Sequence, residues 1–432
     1  MPEPRKVAIV GAGYVGIPLA QVFAEAGQEV LLVDISAERV EQINRGDSYI
    51  EDVPSEALGP LVESGSIRAT TDYDELKQVE AIIIALPTPL SKQREPDLTI
   101  VMSAAEEIAK RLQPGQMVVL ESTTYPGTTR ERLCPALEAG SGLRAGKDFY
   151  LAFSPERVDP GRLDWTTKTT PKVIGGLDQA STEKVSELYR TAVDTIVEVS
   201  SPESAEMTKL LENIFRSVNI ALANELAQLC DRMGLDVWEI IDAAATKPFG
   251  FMKFLPGPGL GGHCIPIDPF YLSWKAREHN FYTEFIELAG KINENMPYFC
   301  RGKIMRALNS VPKPIRGSKI LVLGVAYKKD ISDMRESPAL KVIQLLRQQG
   351  AIVSYHDPFV AELPDVFPES DVVPDVGLRS VELEPESYDC VVIVTDHSQI
   401  DYEDVADRAK LVVDFRNATP AQAPREGKVW KL

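Results

Sequence analysis

A chain of 432 residues has material for two or three domains with sizeable cores, and 44% hydrophobic with 25% charged residues is the balance of a soluble globular protein. Its formal net charge of −18 excludes an extended nucleic-acid or anionic-membrane face, because phosphate contact needs a basic surface; a small anionic ligand needs only a few local cations. The five cysteines (Cys134, Cys230, Cys264, Cys300, Cys390) are odd in number and form no CxxC pair, which points to reduced thiols in a cytoplasm.

The charge-free run 7–24 follows Arg5-Lys6 as a membrane segment would. Gly11, Gly13, Gly16, Pro18 and Gln21 interrupt it, so it reads as strand, turn and helix. A strand is predicted at 6–10, a helix at about 14–26, and a second strand at 29–33 that ends at Asp34. Further strands are expected at 81–86, 117–120 and 150–153 with helical stretches between them, an alternation that implies right-handed βαβ units and a parallel sheet. At 200–203 a Ser-x-x-Glu capping box with an early proline announces a helix. Met207, Leu211, Ile214, Val218 and Leu222 then recur at helical spacing to about Met233, which reads as a spine joining two lobes. Helix resumes over 269–308, and 311–317 is a proline-bearing linker. Strands at 319–323, 352–355, 390–394 and 411–414, with a helix at 339–349, restart the alternation without the phosphate-loop glycines. The expected fold is α/β, two Rossmann-like doubly wound domains joined by a long central helix, with domains at 1–200, 201–310 and 311–432.

Gly11, Gly13 and Gly16 follow a strand and open a helix, the context in which the GxGxxG fingerprint cradles a pyrophosphate. Asp34 closes the next strand, where a carboxylate accepts from ribose hydroxyls and repels a 2′-phosphate, so NAD is favoured over NADP; Arg39 is the nearby residue that would suit the phosphate. FAD or a nucleotide sugar on the same motif remains the alternative. The segments 86–89 and 121–127 follow later strands, at the sheet edge where ligands collect, and otherwise are proline-bearing turns.

Cys264 lies among Gly257, Gly259, Gly261 and Gly262, with His263 beside it and Asp268 four residues on. Such backbone freedom suits a nucleophile that a substrate must approach within bonding distance; a packed small hydrophobe is the plain alternative. A metal site from His263, Cys264 and Asp268 lacks a second cluster to complete four ligands, so none is expected. Lys209 and Asn213 fall on one face of the spine helix, either in a site or in a solvated stripe. Glu156 follows a strand and is otherwise a turn carboxylate. Tyr73 to Lys77 and Tyr271 to Lys275 match a reductase spacing outside the context it needs.

Taken in order, Gly11-Ala-Gly-Tyr-Val-Gly16, Pro87-Thr-Pro89, Ser122-Thr123 with Pro126-Gly127, Ser154-Pro-Glu156, Lys209 with Asn213, Gly261-Gly-His-Cys264 with Asp268, and Gly324-Val-Ala-Tyr-Lys-Lys-Asp330 resemble the UDP-glucose/GDP-mannose dehydrogenase family over essentially the whole chain. Within it, 256–270 looks most like the branch that oxidises UDP-N-acetylglucosamine. His263 and Ile267 stand where UDP-glucose enzymes carry Ser and Lys, and 155–160 lacks their second glutamate.

The resemblance implies a four-electron, NAD-dependent oxidation of a sugar C6 alcohol to a carboxylate. It assigns Cys264 as the covalent nucleophile, Lys209 and Asn213 as oxyanion partners, Asp268 and Thr123 as orienters of water, and Glu156 as an aid to proton transfer. It places Gly11, Gly13, Tyr14, Val15, Gly16, Asp34, Arg39, Pro87, Thr88, Ser122, Thr123 and Arg335 at the cofactor. Glu156, Arg157, Lys209, Asn213, Phe254, Gly257, Gly259, Gly261, Tyr327, Lys328 and Arg416 would hold the UDP-sugar. It further implies a C-terminal UDP-binding lobe, a homodimer or larger homo-oligomer through the spine helix, and no nucleic-acid or membrane partner. The same chemistry on UDP-N-acetylmannosamine, UDP-N-acetylgalactosamine or UDP-glucose is the near alternative; a two-electron hydroxyacid-type dehydrogenase or a nucleotide-sensing protein is the distant one.

Overall fold

Short, largely apolar runs form most strands of the first compact unit, Met1–Glu212 with Trp274–Asn280. The structure, a computed structural model, describes residues 5–50, 52–91, 95–158, 165–262, 265–363, 378–420 and 427–432. The strands of this unit are β1 (Lys6–Val10), β2 (Glu29–Val33), β3 (Ile67–Thr70), β4 (Ala81–Ile84), β5 (Met117–Leu120), β6 (Tyr150–Phe153), β7 (Lys172–Gly176) and β8 (Ile196–Val199). They lie in the order β3-β2-β1-β4-β5-β6-β7-β8. Val7 and Ile9 enter one apolar cluster while Ala8 and Val10 enter another, so both faces of the sheet are covered. The order reverses between β1 and β4, which opens a crevice at the carboxyl ends of these strands and sets the Gly11 turn beside it.

The expected parallel sheet has one exception. β7 runs antiparallel to β6, pairing Gly176 with Ala152. The described parts of the 154–171 connection carry no helix.

The spine helix spans Pro202–Met233, ~48 Å at 1.5 Å per residue. Its cap falls one residue later than the expected box: the Ser201 hydroxyl accepts from the Ser204 N–H at 3.2 Å. Glu203 instead receives the Arg130 Nε–H at 2.6 Å.

The second unit comprises Asn213–Ser273 and Phe281–Leu432. Its strands β9 (Lys319–Leu323), β10 (Ile352–His356), β11 (Cys390–Ile393), β12 (Val412–Asp414) and β13 (Val429–Lys431) form a parallel sheet ordered β10-β9-β11-β12-β13, again with an apolar cluster on each face. The helix expected over 269–308 is two, Asp268–Glu278 and Glu284–Ser310. Asn280, at φ 55, takes the left-handed conformation that stops the first. The α/β class, the two parallel-type sheets and the long central helix are as expected. Among the described residues no helix is long and apolar enough to cross a membrane.

Candidate active site

In the first unit, Gly11 leaves β1 at φ +108, and a Cβ there would lie 2.4 Å from the Ala85 carbonyl oxygen, so only glycine makes this turn. Around Gly13 the same test meets nothing within 4 Å, leaving the bare backbone face that a pyrophosphate requires. Asp34, 8% exposed, accepts the Ala12 N–H at 3.0 Å and the Ser36 N–H at 2.9 Å. The Arg39 guanidinium sits 3.8 Å from Asp34 and 5.6 Å from the Tyr49 ring centre. Its charge is thereby shared with a carboxylate and an aromatic face. Burial pushes the Tyr49 hydroxyl up to about 12, and it donates to the Ala12 carbonyl. Tyr14 stands exposed at the turn, with Val15 partly buried beside it. These residues fit a dinucleotide.

The loops after β4 and β5 are tied together. Ser122 Oγ accepts from the Leu86 N–H at 2.9 Å, and Thr88 Oγ1 donates to the Thr123 carbonyl at 2.7 Å, leaving Pro87 exposed on the rim. Behind them the buried Glu206 of the spine helix accepts from the Gly127 N–H at 2.6 Å, the Thr129 N–H at 2.8 Å and the Thr129 hydroxyl at 2.7 Å. Burial raises the Glu206 carboxyl to about 7 against those three bonds.

One helical turn on, Lys209 is 9% exposed and donates from Nζ to the Glu156 carbonyl at 2.7 Å. It is not part of a solvated stripe. The Glu156 carboxylate accepts from the Arg157 and Val158 N–H groups, each at 2.8 Å, as a turn carboxylate would, but it also receives the Lys172 ammonium at 3.1 Å. Burial opposes its ionisation, yet Lys172, the Val158 N–H and Lys209 together hold it below the ordinary carboxylate range. Arg157 reaches Glu212 at 2.6 Å and the Pro171 carbonyl at 2.6 Å.

In the second unit, the Asn213 amide donates to Asp268, the pair being 6% and 2% exposed. Gly257 donates its N–H to Asn224 at 2.9 Å, and Asn224 bonds Asn293, so the glycine segment starts from a buried amide pair. The Arg416 guanidinium fills the space where a Gly257 side chain would stand, 3.0 Å from an added Cβ, and is held by Asp396 at 3.0 Å. Gly259 faces Pro338; Gly261 and Gly262 lie against Tyr327, and at Gly262, φ +84, a Cβ would come 2.9 Å from its ring. Phe254 packs edge-on against Phe215 at 5.7 Å. Lys328 follows Tyr327 in the loop after β9, and Arg335 is paired with Asp333 at 2.7 Å. His263 and Cys264 lie outside the described residues. The other four cysteines are buried; burial pushes Cys134 up to about 11 and Cys300 and Cys390 higher, so these three are thiols and not nucleophiles.

The sequence reading passes over Lys172, Glu121, Tyr189 and Glu206. A charged residue opening the otherwise apolar strand 172–176, and another directly after β5, are the signals available for the first two. Tyr189 and Glu206 sit in helical runs that nothing sets apart.

Comparison with known proteins adds an independent line. Residues 5–193 match the NAD binding domain of the UDP-glucose/GDP-mannose dehydrogenase family, 203–295 its central domain and 321–421 its UDP binding domain. The chain is 37% identical over 418 residues to a UDP-N-acetyl-D-mannosamine dehydrogenase of Pyrococcus horikoshii, covering 95% of both. It is 35% identical over 396 residues to a UDP-N-acetyl-D-glucosamine 6-dehydrogenase of Pseudomonas aeruginosa, covering 91% of both. The solved UDP-D-ManNAc dehydrogenase from Pyrococcus horikoshii superposes with a TM-score of 0.88 at 35% identity, covering 99% of this chain and 98% of that one.

Proposed function

The chain belongs to the UDP-glucose/GDP-mannose dehydrogenase family of NAD-dependent nucleotide-sugar dehydrogenases, and from that premise we propose that it oxidises the C6 hydroxyl of a UDP-N-acetylhexosamine, UDP-N-acetylglucosamine foremost, to the uronic acid. Supporting this reading above all is the spine helix, which buries an ammonium and an amide one turn apart: Lys209 reaches the Glu156 carbonyl and Asn213 reaches Asp268. A helix surface does not bury such groups for packing alone.

Bound NAD supplies a hydride acceptor for each of two oxidations, so that a primary alcohol and one water yield a carboxylate, two NADH and three protons. Lys209 places its charge beside the oxygen that becomes alkoxide-like, and Asn213 donates a hydrogen bond to the same oxygen. The Cys264 thiolate adds to the aldehyde carbon, forming a C–S bond and a thiohemiacetal whose oxyanion Lys209 again stabilises. Loss of the second hydride from that carbon leaves a thioester. Asp268 and Thr123 orient a water whose oxygen attacks the acyl carbon as the C–S bond breaks, and Glu156, kept ionised, accepts its proton in transit. Tyr327, Lys328 and Arg416 hold the UDP, each charge-assisted contact contributing about 1.5–3 kcal/mol, and Arg335 reaches the cofactor.

A second reading, the same reaction on UDP-N-acetylmannosamine, is favoured by the relative of that name at 37% identity. A panel of UDP-sugars assayed for NADH decides between them. Two NADH per sugar and a preference for the gluco isomer are expected; preference for the manno isomer sinks the first assignment, and one NADH per sugar sinks both.

We also place the enzyme in the cytoplasm as a homodimer or larger homo-oligomer. Met207, Leu211, Phe215, Leu222, Leu226, Leu229 and Met233 are all at least 39% exposed. At 100° per residue they fall within a ~100° arc of the spine helix, an apolar stripe unusual for a monomer surface. Sedimentation is expected to show a dimer or larger species that Leu211→Glu with Leu229→Glu dissociates, and a wild-type monomer at micromolar concentration would refute it.

A further inference from the structure

Behind Glu156 lies a chain of buried ionisable groups for which the proposed reaction names no task. Lys172, 3% exposed at its side chain, opens β7 and donates to Glu156 at 3.1 Å and to Glu121 at 2.8 Å. Glu121 is fully buried at the end of β5 and accepts a further hydrogen bond from Tyr189, which closes the helix Gln179–Tyr189. The Lys172 ammonium also lies 5.8 Å from the centre of the Tyr189 ring.

An ammonium set between one fully buried carboxylate and a second that is 17% exposed is an expensive arrangement. For strength alone, three apolar side chains would serve β5, β6 and β7 as well. The bonding is directional instead. Two backbone N–H groups hold one oxygen of Glu156 and Lys172 holds the other, so the carboxylate is tethered at both oxygens. Lys172 in turn is held from the far side by Glu121, and Glu121 by Tyr189.

We propose that Lys172 is a positioning residue for hydrolysis of the acyl-enzyme, fixing the Glu156 carboxylate in its ionised form, with Glu121 and Tyr189 as the buried brace that holds Lys172. This rests on the role given to Glu156 above. The charged and titratable groups around that carboxylate are Lys172 on β7, Glu121 after β5, Tyr189 on its helix, Lys209 on the spine helix and the adjoining Arg157, itself paired with Glu212. Burial and the neighbouring Glu156 raise the Glu121 carboxyl, with Lys172 opposing them. Burial acts against the charge on Lys172, and Glu121 and Glu156 override it.

The sign follows. Protonating Glu156 stops hydrolysis, so kcat falls on the acid side. Without Lys172, burial and Glu121 both favour the protonated acid, and the acid limb of the kcat profile moves to higher pH. Lys172→Met, with the best UDP-sugar of the panel, is expected to lower kcat at pH 7 by about 100-fold, within the range for general acid–base groups. The KM values should stay within about threefold, the thioester should accumulate by intact-protein mass spectrometry, and the acid limb should rise by a pH unit or more. Glu121→Gln, close to isosteric, loosens the brace on Lys172 and is expected to lower kcat with the thioester accumulating and KM little altered, and it carries the test if Lys172→Met does not fold. A merely structural lysine lowers stability without moving the limb. An unmoved limb in Lys172→Met, or wild-type kcat with no accumulated thioester in Glu121→Gln, overturns the inference. Glu156→Gln separates the two levels: if it turns over normally with no thioester accumulating, the role of Glu156 fails and the inference with it. If it stalls as thioester while Lys172→Met does not, the inference alone fails.

Discussion

Cys264→Ala is expected to lower four-electron turnover by on the order of 10⁶-fold, in line with the loss of an essential nucleophile elsewhere, while a single oxidation to the aldehyde survives. The sulfur's task is to keep the half-oxidised carbon attached and to present it as a thiohemiacetal, from which hydride leaves with the oxygen's electrons behind it. Alanine leaves only free aldehyde and its hydrate. NADH yield should then approach one per sugar, and hydroxylamine should trap the released aldehyde as its oxime. Cys264→Ser should instead stall as an ester of added mass, because an alkoxide leaves an acyl carbon less readily than a thiolate. Two NADH per sugar at the wild-type rate in either variant would refute covalent catalysis. Cys134, Cys300 and Cys390 offer no substitute, being buried with their thiols pushed upward.

Lys209→Met should reduce kcat by roughly 10²–10³, the equivalent of about 2.7–4 kcal/mol for an oxyanion donor, with KM little altered. The reasoning is differential: a fixed ammonium meets a neutral alcohol in the ground state and a developing negative charge in the transition state. Arginine should not restore activity, since its planar fork cannot occupy the point position from which Nζ reaches the Glu156 carbonyl at 2.7 Å. The deuterium isotope effect on kcat with a C6-deuterated sugar should increase as hydride transfer becomes limiting. An unchanged kcat with a raised KM would make Lys209 a binding residue only.

The strands β1, β2, β5, β6 and β9 were legible because each is a short apolar run closed by a turn signal, and the Gly11 turn with Asp34 identified the cofactor end from spacing alone. β3 and β8 were not, because Arg68 and Glu198 interrupt the apolar pattern that marks a strand, and β7 has only Val173 and Ile174 between Lys172 and its two glycines. Ser201 takes the cap from Ser200, a one-residue slip that two adjacent serines before a proline invite. For the chemistry, spacing put Lys209 and Asn213 on one helix face but left a solvated stripe open, and the roles given to them and to Asp268 came from the family resemblance. Lys172 is 51 residues from Glu121 and 16 from Glu156, and Tyr189 is 68 from Glu121, separations that no local pattern reveals; the pairing of β5, β6 and β7 gathers them.

Four residues at three-residue intervals, Glu203, Glu206, Lys209 and Glu212, stitch the opening of the spine helix to Arg130, to Gly127 and Thr129, to the Glu156 carbonyl and to Arg157. Anyone excising the cofactor lobe for separate study must therefore carry the polypeptide past residue 212. A cut near residue 200 would strip the Gly127 and Thr129 amides of the carboxylate that receives them.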